Sequence, residues 1–115
     1  MNRLPGLSLI LALLLLSKGA IAEVKALPRT QWPTTVAEAV PRILNALGPT
    51  QRSIVANTSK DGLHLLQGEW GDDIEQLLGL NNGNTVLVET ACGRPCAVDQ
   101  ATLLLMEASW EALQH

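Results

Sequence analysis

Two cysteines four residues apart, in Cys92-Gly93-Arg94-Pro95-Cys96, are the most chemically distinctive feature of this chain. Such thiols can pair as a structural disulfide, shuttle electrons as a redox dithiol, or bind a metal. Cys96 lies just ahead of a helical pattern, whose positive end lowers a thiol pKa. The spacing is nonetheless C-x3-C, whereas the thioredoxin-type motif is C-x2-C. Zinc asks for four ligands, and only His64 and His115 could join the pair. Cys92 and Cys96 are therefore read as a structural disulfide, with redox chemistry as the alternative and no metal site expected. Closing so short a loop contributes about 2 kcal/mol by chain entropy, enough to pin a connector.

Other residues with chemical potential carry plainer readings. His64 has Asp61 nearby, and a histidine with an acidic neighbour can act as a general base. Ser53, Ser59 and Ser109 all lack the G-x-S-x-G context of a nucleophile elbow. No nucleophile, base and orienting group can be assembled, so no catalytic residue is assigned. Glu69, Asp72, Asp73 and Glu75 bring four carboxylates into seven residues. Paired carboxylates could hydrolyse glycosides across a cleft, and the run lacks the D-x-D-x-D-G spacing of a calcium loop. A solvated helix face fits it better, and such a face could meet a basic partner. Glu107 falls beside a buried stripe and calls for a cation, which Arg42, Arg52 or Arg94 could supply.

Composition narrows the function classes. The chain has 115 residues and a formal net charge of −3. Its only aromatics are Trp32, Trp70 and Trp110, so it has no platform for stacking bases. Residues 1–22 read as a secretory signal peptide. Arg3 is its positive region, Leu7 to Leu16 its apolar core, and Ala20-Ile21-Ala22 puts small residues at −3 and −1 of a cut between Ala22 and Glu23. The apolar stretch is too short for a stable membrane span. All eleven acidic residues lie beyond residues 1–22, whereas two of the eight basic ones, Arg3 and Lys18, lie within them. Cleavage thus leaves an acidic product, expected in a periplasm or outside the cell, which argues against nucleic acid as a partner.

The elements that position these groups follow from periodicity. Residues 23–32 are an extended lead-in, with Trp32 folding back onto the body. Thr35 and Glu38 form a capping box that opens a helix through Val36, Val40, Ile43, Leu44 and Leu47. Pro41 requires that helix to kink or restart. A short second helix follows Pro49, with Ile54 and Val55 facing inward. Leu63, Leu66, Trp70, Ile74 and Leu77 define a third. Its Gly68 and Gly71 suggest a close helix approach or a local break, and Gly79 serves as a left-handed C-cap with Leu80 as its contact. Asn81 to Asn84 form a turn. Residues 85–91 read either as a short helix or as an extended connector. The last helix has Asp99 as N-cap and Leu103, Met106, Trp110 and Leu113 along its face, and it should be central.

Taken in order, these blocks resemble a bacterial domain-of-unknown-function family, numbered 6794. The opening block runs from Pro33-Thr34 through Glu38-Ala39-Val40 to Leu47, and the middle block is Gly71, Ile74, Gly79, Leu80, Gly83 and Asn84. The closing block is Asp99, Ala101, Thr102, Leu105, Glu107, Ala108, Trp110 and Leu113. The resemblance covers nearly all of the mature chain. Where family members often carry Arg-Asn after the isoleucine, this chain has Glu75-Gln76. The family implies a fold and supplies no activity, catalytic residue or cofactor.

The sequence thus predicts an all-α, single-domain bundle of about four helices over residues 33–115, with an N-terminal extension at 23–32 and one disulfide. The expected function is a non-catalytic, exported protein-binding module, of which immunity and inhibitor proteins are examples by analogy. Its expected partner is a periplasmic protein, its surface Glu69, Asp72, Asp73 and Glu75, and no cofactor is called for. A disulfide-active or hydrolytic enzyme and a structural envelope component are the alternatives.

Overall fold

The computed structural model describes residues 25–115. The expected signal peptide, its cut between Ala22 and Glu23, and the first two lead-in residues lie outside the described residues. Five α-helices occur in order: α1 (Val36–Ala46), α2 (Pro49–Ala56), α3 (Asp72–Leu78), α4 (Thr85–Cys92) and α5 (Val98–Leu113). No strand occurs among the described residues, so the chain is all-α there.

α1 begins where Thr35, in extended geometry, accepts a hydrogen bond from the Glu38 amide at 3.2 Å. The reciprocal half of the capping box is displaced by one residue. Glu38 Oε1 accepts from the backbone amide and the hydroxyl of Thr34, both at 3.2 Å, and not from Thr35. Pro41 neither ends nor restarts the helix, which runs unbroken through it. The carbonyl it leaves unpaired belongs to Ala37, and both residues are exposed, so water can take the missing bond. In α2, Val55 is buried but Ile54 is 52% exposed, correcting the expectation that both face inward. Adjacent helical residues point about 100° apart, so in this short helix, which meets the core on one side, Val55 faces inward and Ile54 faces solvent.

The expected third helix is three windings in succession. A 3-10 segment (Lys60–Leu66) starts at Ser59, whose hydroxyl accepts from the Gly62 amide at 3.2 Å. A π-helical turn (Gln67–Gly71) follows, and α3 completes the run. The apolar stripe survives these changes of pitch, since Leu63, Trp70, Ile74 and Leu77 are all buried. Gly71 marks the close approach. A Cβ there would stand 3.3 Å from Thr102 Cγ2 and 3.5 Å from Met106 Sδ of α5. Gly79 ends α3 at φ 69°, ψ 29°, and Leu80 behind it is buried, as the C-cap pattern predicts.

Residues 85–91 are helical, within α4. Asn84 decides this, because its side-chain oxygen accepts from the Leu87 amide and opens the helix. Leu87 and Val88 then enter the core. α5 starts earlier than expected. Its N-cap is Ala97, without a side-chain cap, and Asp99 lies within the first turn. Val98 packs against the core, which rewards the extra helical residues at this end. α5 is central, packing against α1, α2, α3 and α4 as well as the 3-10 and π segments. No helix among the described residues is long and apolar enough to cross a membrane.

Candidate functional site

The four carboxylates singled out by the sequence separate into two environments. Glu69, on the π turn, and Asp72, at the start of α3, are exposed. Asp73 is half-buried at the rim of a small apolar pocket between α1 and α3, lined by Ile43, Leu47, Trp70, Ile74 and Leu77. Burial pushes its carboxyl above the usual aspartate range. A hydrogen bond from Gln51 opposes this, and the neighbouring charges of Asp72 and Glu69 add to it. Three of the four acids therefore share one electrostatic neighbourhood.

Glu75 is turned to another task. Its Oε1 accepts from Asn81 Nδ2 at 2.9 Å, and its Oε2 is 2.9 Å from the hydroxyl of Thr102 on α5. Thr102 is fully buried, and the same hydroxyl lies 2.8 Å from the Val98 carbonyl. This carboxylate ties α3 to α5 and to the Asn81 turn. Glu107, which was expected to pair with an arginine, has no cation partner among the described residues. It is only half-buried, so water can solvate it. Arg52 donates instead to the Leu44 carbonyl and Arg94 to that of Pro95. The one ion pair among the described residues is exposed, Lys60 with Glu111 at 3.4 Å.

Cys92 and Cys96 stand at disulfide distance, their Cα atoms 6.4 Å apart. The bridge spans the connector between α4 and α5, where Gly93 turns the chain at φ 72°. Both cysteines are half-buried. His64 is exposed, and its Nδ1 lies 2.8 Å from the backbone carbonyl of Asp61, not from that residue's carboxylate. Ser59 serves as a cap, and Ser109 is buried within α5 with no partner for its hydroxyl. No group of three or more histidine, cysteine, aspartate or glutamate residues is placed to hold a metal among the described residues.

Two positions matter more than their residue types suggested. Asn84 is 3% exposed, and its amide nitrogen donates to the carbonyls of Pro33 (3.2 Å) and Leu78 (2.9 Å) while its oxygen caps α4. Arg29 stacks its guanidinium 4.7 Å from the Trp32 ring centroid and donates to the Asn82 carbonyl at 3.2 Å. Together they fasten the lead-in to the turn after α3. Composition flagged that stretch as a turn, but no local signal revealed its distant partners. No protein-family model, curated protein or solved structure matches the chain.

Proposed function

We propose that this chain is an exported, non-catalytic protein-binding module that presents Glu69, Asp72 and Asp73 to a basic surface on a periplasmic protein. The carrying observation is the grouping of these three acids on one short stretch without a cation partner among the described residues; burial is the main cause that holds the Asp73 carboxyl up, and repulsion from Asp72 and Glu69 adds to it. A cationic partner relieves that repulsion, which gives the face a preference for positive charge. Glu75 is left out of the revised face, because its oxygens already serve Asn81 and Thr102. Export rests on the signal-like leader and on the cysteine pair, which suits an oxidising compartment. Immunity or inhibitor proteins remain the analogy of class, and kinship with family 6794 rests on the three ordered sequence blocks.

The test is a cross-linked pull-down of the tagged mature protein from periplasmic extract, beside Glu69→Lys/Asp72→Lys. A stoichiometric partner captured by the native chain and lost by the variant, at unchanged Tm, is the expected result. Equal capture by both proteins overturns the assignment of this face. Cys92→Ser separates the redox alternative. A structural bridge predicts lower stability with partner capture retained, whereas a disulfide-active enzyme would lose its function with its fold intact.

A further inference from the structure

Of the four residues Asn81-Asn82-Gly83-Asn84, three carry side-chain amides, and the fold occupies two of them. Asn81 Nδ2 donates to Glu75 Oε1, and the buried Asn84 makes three hydrogen bonds. Asn82 differs from both. It is exposed, and its side chain makes no hydrogen bond among the described residues. The residue after it is Gly83, at φ 110°, with no side chain to shield its amide nitrogen. That amide donates no backbone hydrogen bond among the described residues.

Arg29 completes the arrangement. Its guanidinium donates to the Asn82 carbonyl at 3.2 Å and is held in place by its stacking on Trp32. The polarised carbonyl and the Gly83 nitrogen belong to the same peptide group. A cationic donor on the oxygen stabilises the anion formed when the nitrogen loses its proton, making that nitrogen a better nucleophile. The Asn82 side-chain carbon is the electrophile one residue back along the chain.

We propose that Asn82 is a site of self-modification, with Arg29 as the positioning residue that promotes it. The Gly83 nitrogen gives up its proton to solvent base and attacks Asn82 Cγ, forming an N–C bond and a five-membered succinimide. The Cγ–Nδ2 bond breaks, and the nitrogen leaves as ammonia after taking up a proton. Water then opens the ring at either carbonyl, giving aspartate or isoaspartate at position 82. No oxidation or reduction occurs, and water is the only co-reactant. Asn82 lines a cleft with Asp72, Glu75, Gln76 and Asn81, so either product adds negative charge beside the acidic face.

The test incubates the intact, disulfide-bonded chain at mildly alkaline pH and maps conversion at each asparagine by mass spectrometry, with released ammonia measured in parallel. Conversion confined to Asn82, with Asn81 and Asn84 unchanged, is the expected result. Arg29→Gln should slow the initial rate severalfold, and Arg29→Lys should restore part of it. Conversion of Asn81 or Asn57 as fast as Asn82 overturns the site. An unchanged rate in a folded Arg29→Gln protein overturns the role of Arg29. Should Arg29→Gln fail to fold, Arg29→Lys and the comparison among asparagines within the native chain decide the matter.

Discussion

The indole of Trp32 lies directly across Gly79, so close that a Cβ on Gly79 would stand 2.8 Å from Trp32 Nε1 and nearer still to two ring carbons. Gly79 also holds φ 69°, and Trp32 Nε1 donates to the Leu27 carbonyl at 3.2 Å. One glycine therefore both ends α3 and seats the lead-in. Gly79→Ala adds a left-handed penalty of about 1–2 kcal/mol to a steric one of about 1–3 kcal/mol. Urea unfolding should show the sum in Gly79→Ala. In a Trp32→Ala background the same change should cost only the backbone part, so the two substitutions should fail to add.

Asn84→Ala should be among the most damaging single changes outside the apolar core. It removes the α4 cap and strands the Leu78 and Pro33 carbonyls. The expected loss is about 2–4 kcal/mol, read from chemical denaturation. Asn84→Asp should also destabilise, because it keeps the cap acceptor and loses both donors. A loss as small as that of an ordinary surface substitution would refute this account of the turn.

Ser109→Ala should act in the opposite direction. The hydroxyl is fully buried with no hydrogen-bond partner, so its desolvation is uncompensated. Removing it should raise stability by up to about 1 kcal/mol, seen as a higher denaturation midpoint at unchanged slope.

Two carboxylates give pH dependences of opposite sign. Asp73 is held above its ordinary range by burial first, so it is more readily protonated folded than unfolded. Its ionisation costs the folded state, and this cost appears as pH rises through its unfolded and then its folded pKa. Asp73→Asn should therefore raise Tm near neutral pH, with the gain vanishing in acid below the ordinary aspartate range. Glu38 is held below its ordinary range, chiefly by the Thr34 amide and then by the Thr34 hydroxyl. Its contribution is present above the unfolded pKa and fades as pH falls through the folded one, so Glu38→Gln should lower Tm near neutrality and not in strong acid. Thermal melts across acid and neutral pH check both signs.

Much of the architecture was legible because it depends on short-range rules. Apolar residues at steps of three and four placed the buried stripe from Leu63 to Leu77 and the face of α5. Thr35, Gly79 and the cysteine pair announced their local roles by type and spacing. What stayed hidden depended on distant partners. Residues 85–91 read equally as a short helix or an extended connector, and Asn84, anchored through Pro33 and Leu78, made them a helix. Glu107 suggested a buried ion pair, but the tie between α3 and α5 came from Glu75 and Thr102. In the acidic run, sequence could count the four charges. Only packing withdrew Glu75 from the face and lowered Asp73 toward the pocket while Glu69 and Asp72 stayed in water.

The sequence by itself determined an all-α chain with a central last helix, a glycine stop at residue 79 and a cysteine pair that staples one connector. Helix period, caps and a five-residue loop are properties of neighbouring residues, so they can be read along the chain. Tertiary structure alone decided the changes of pitch from 3-10 to π to α across residues 60–78, where Gly71 lets α5 approach. It also decided the clasp of Arg29 and Trp32 on the turn after α3 and the division of labour among the acids. These outcomes turn on which groups meet across fifty residues, and the energies of burial and hydrogen bonding are set only when they do.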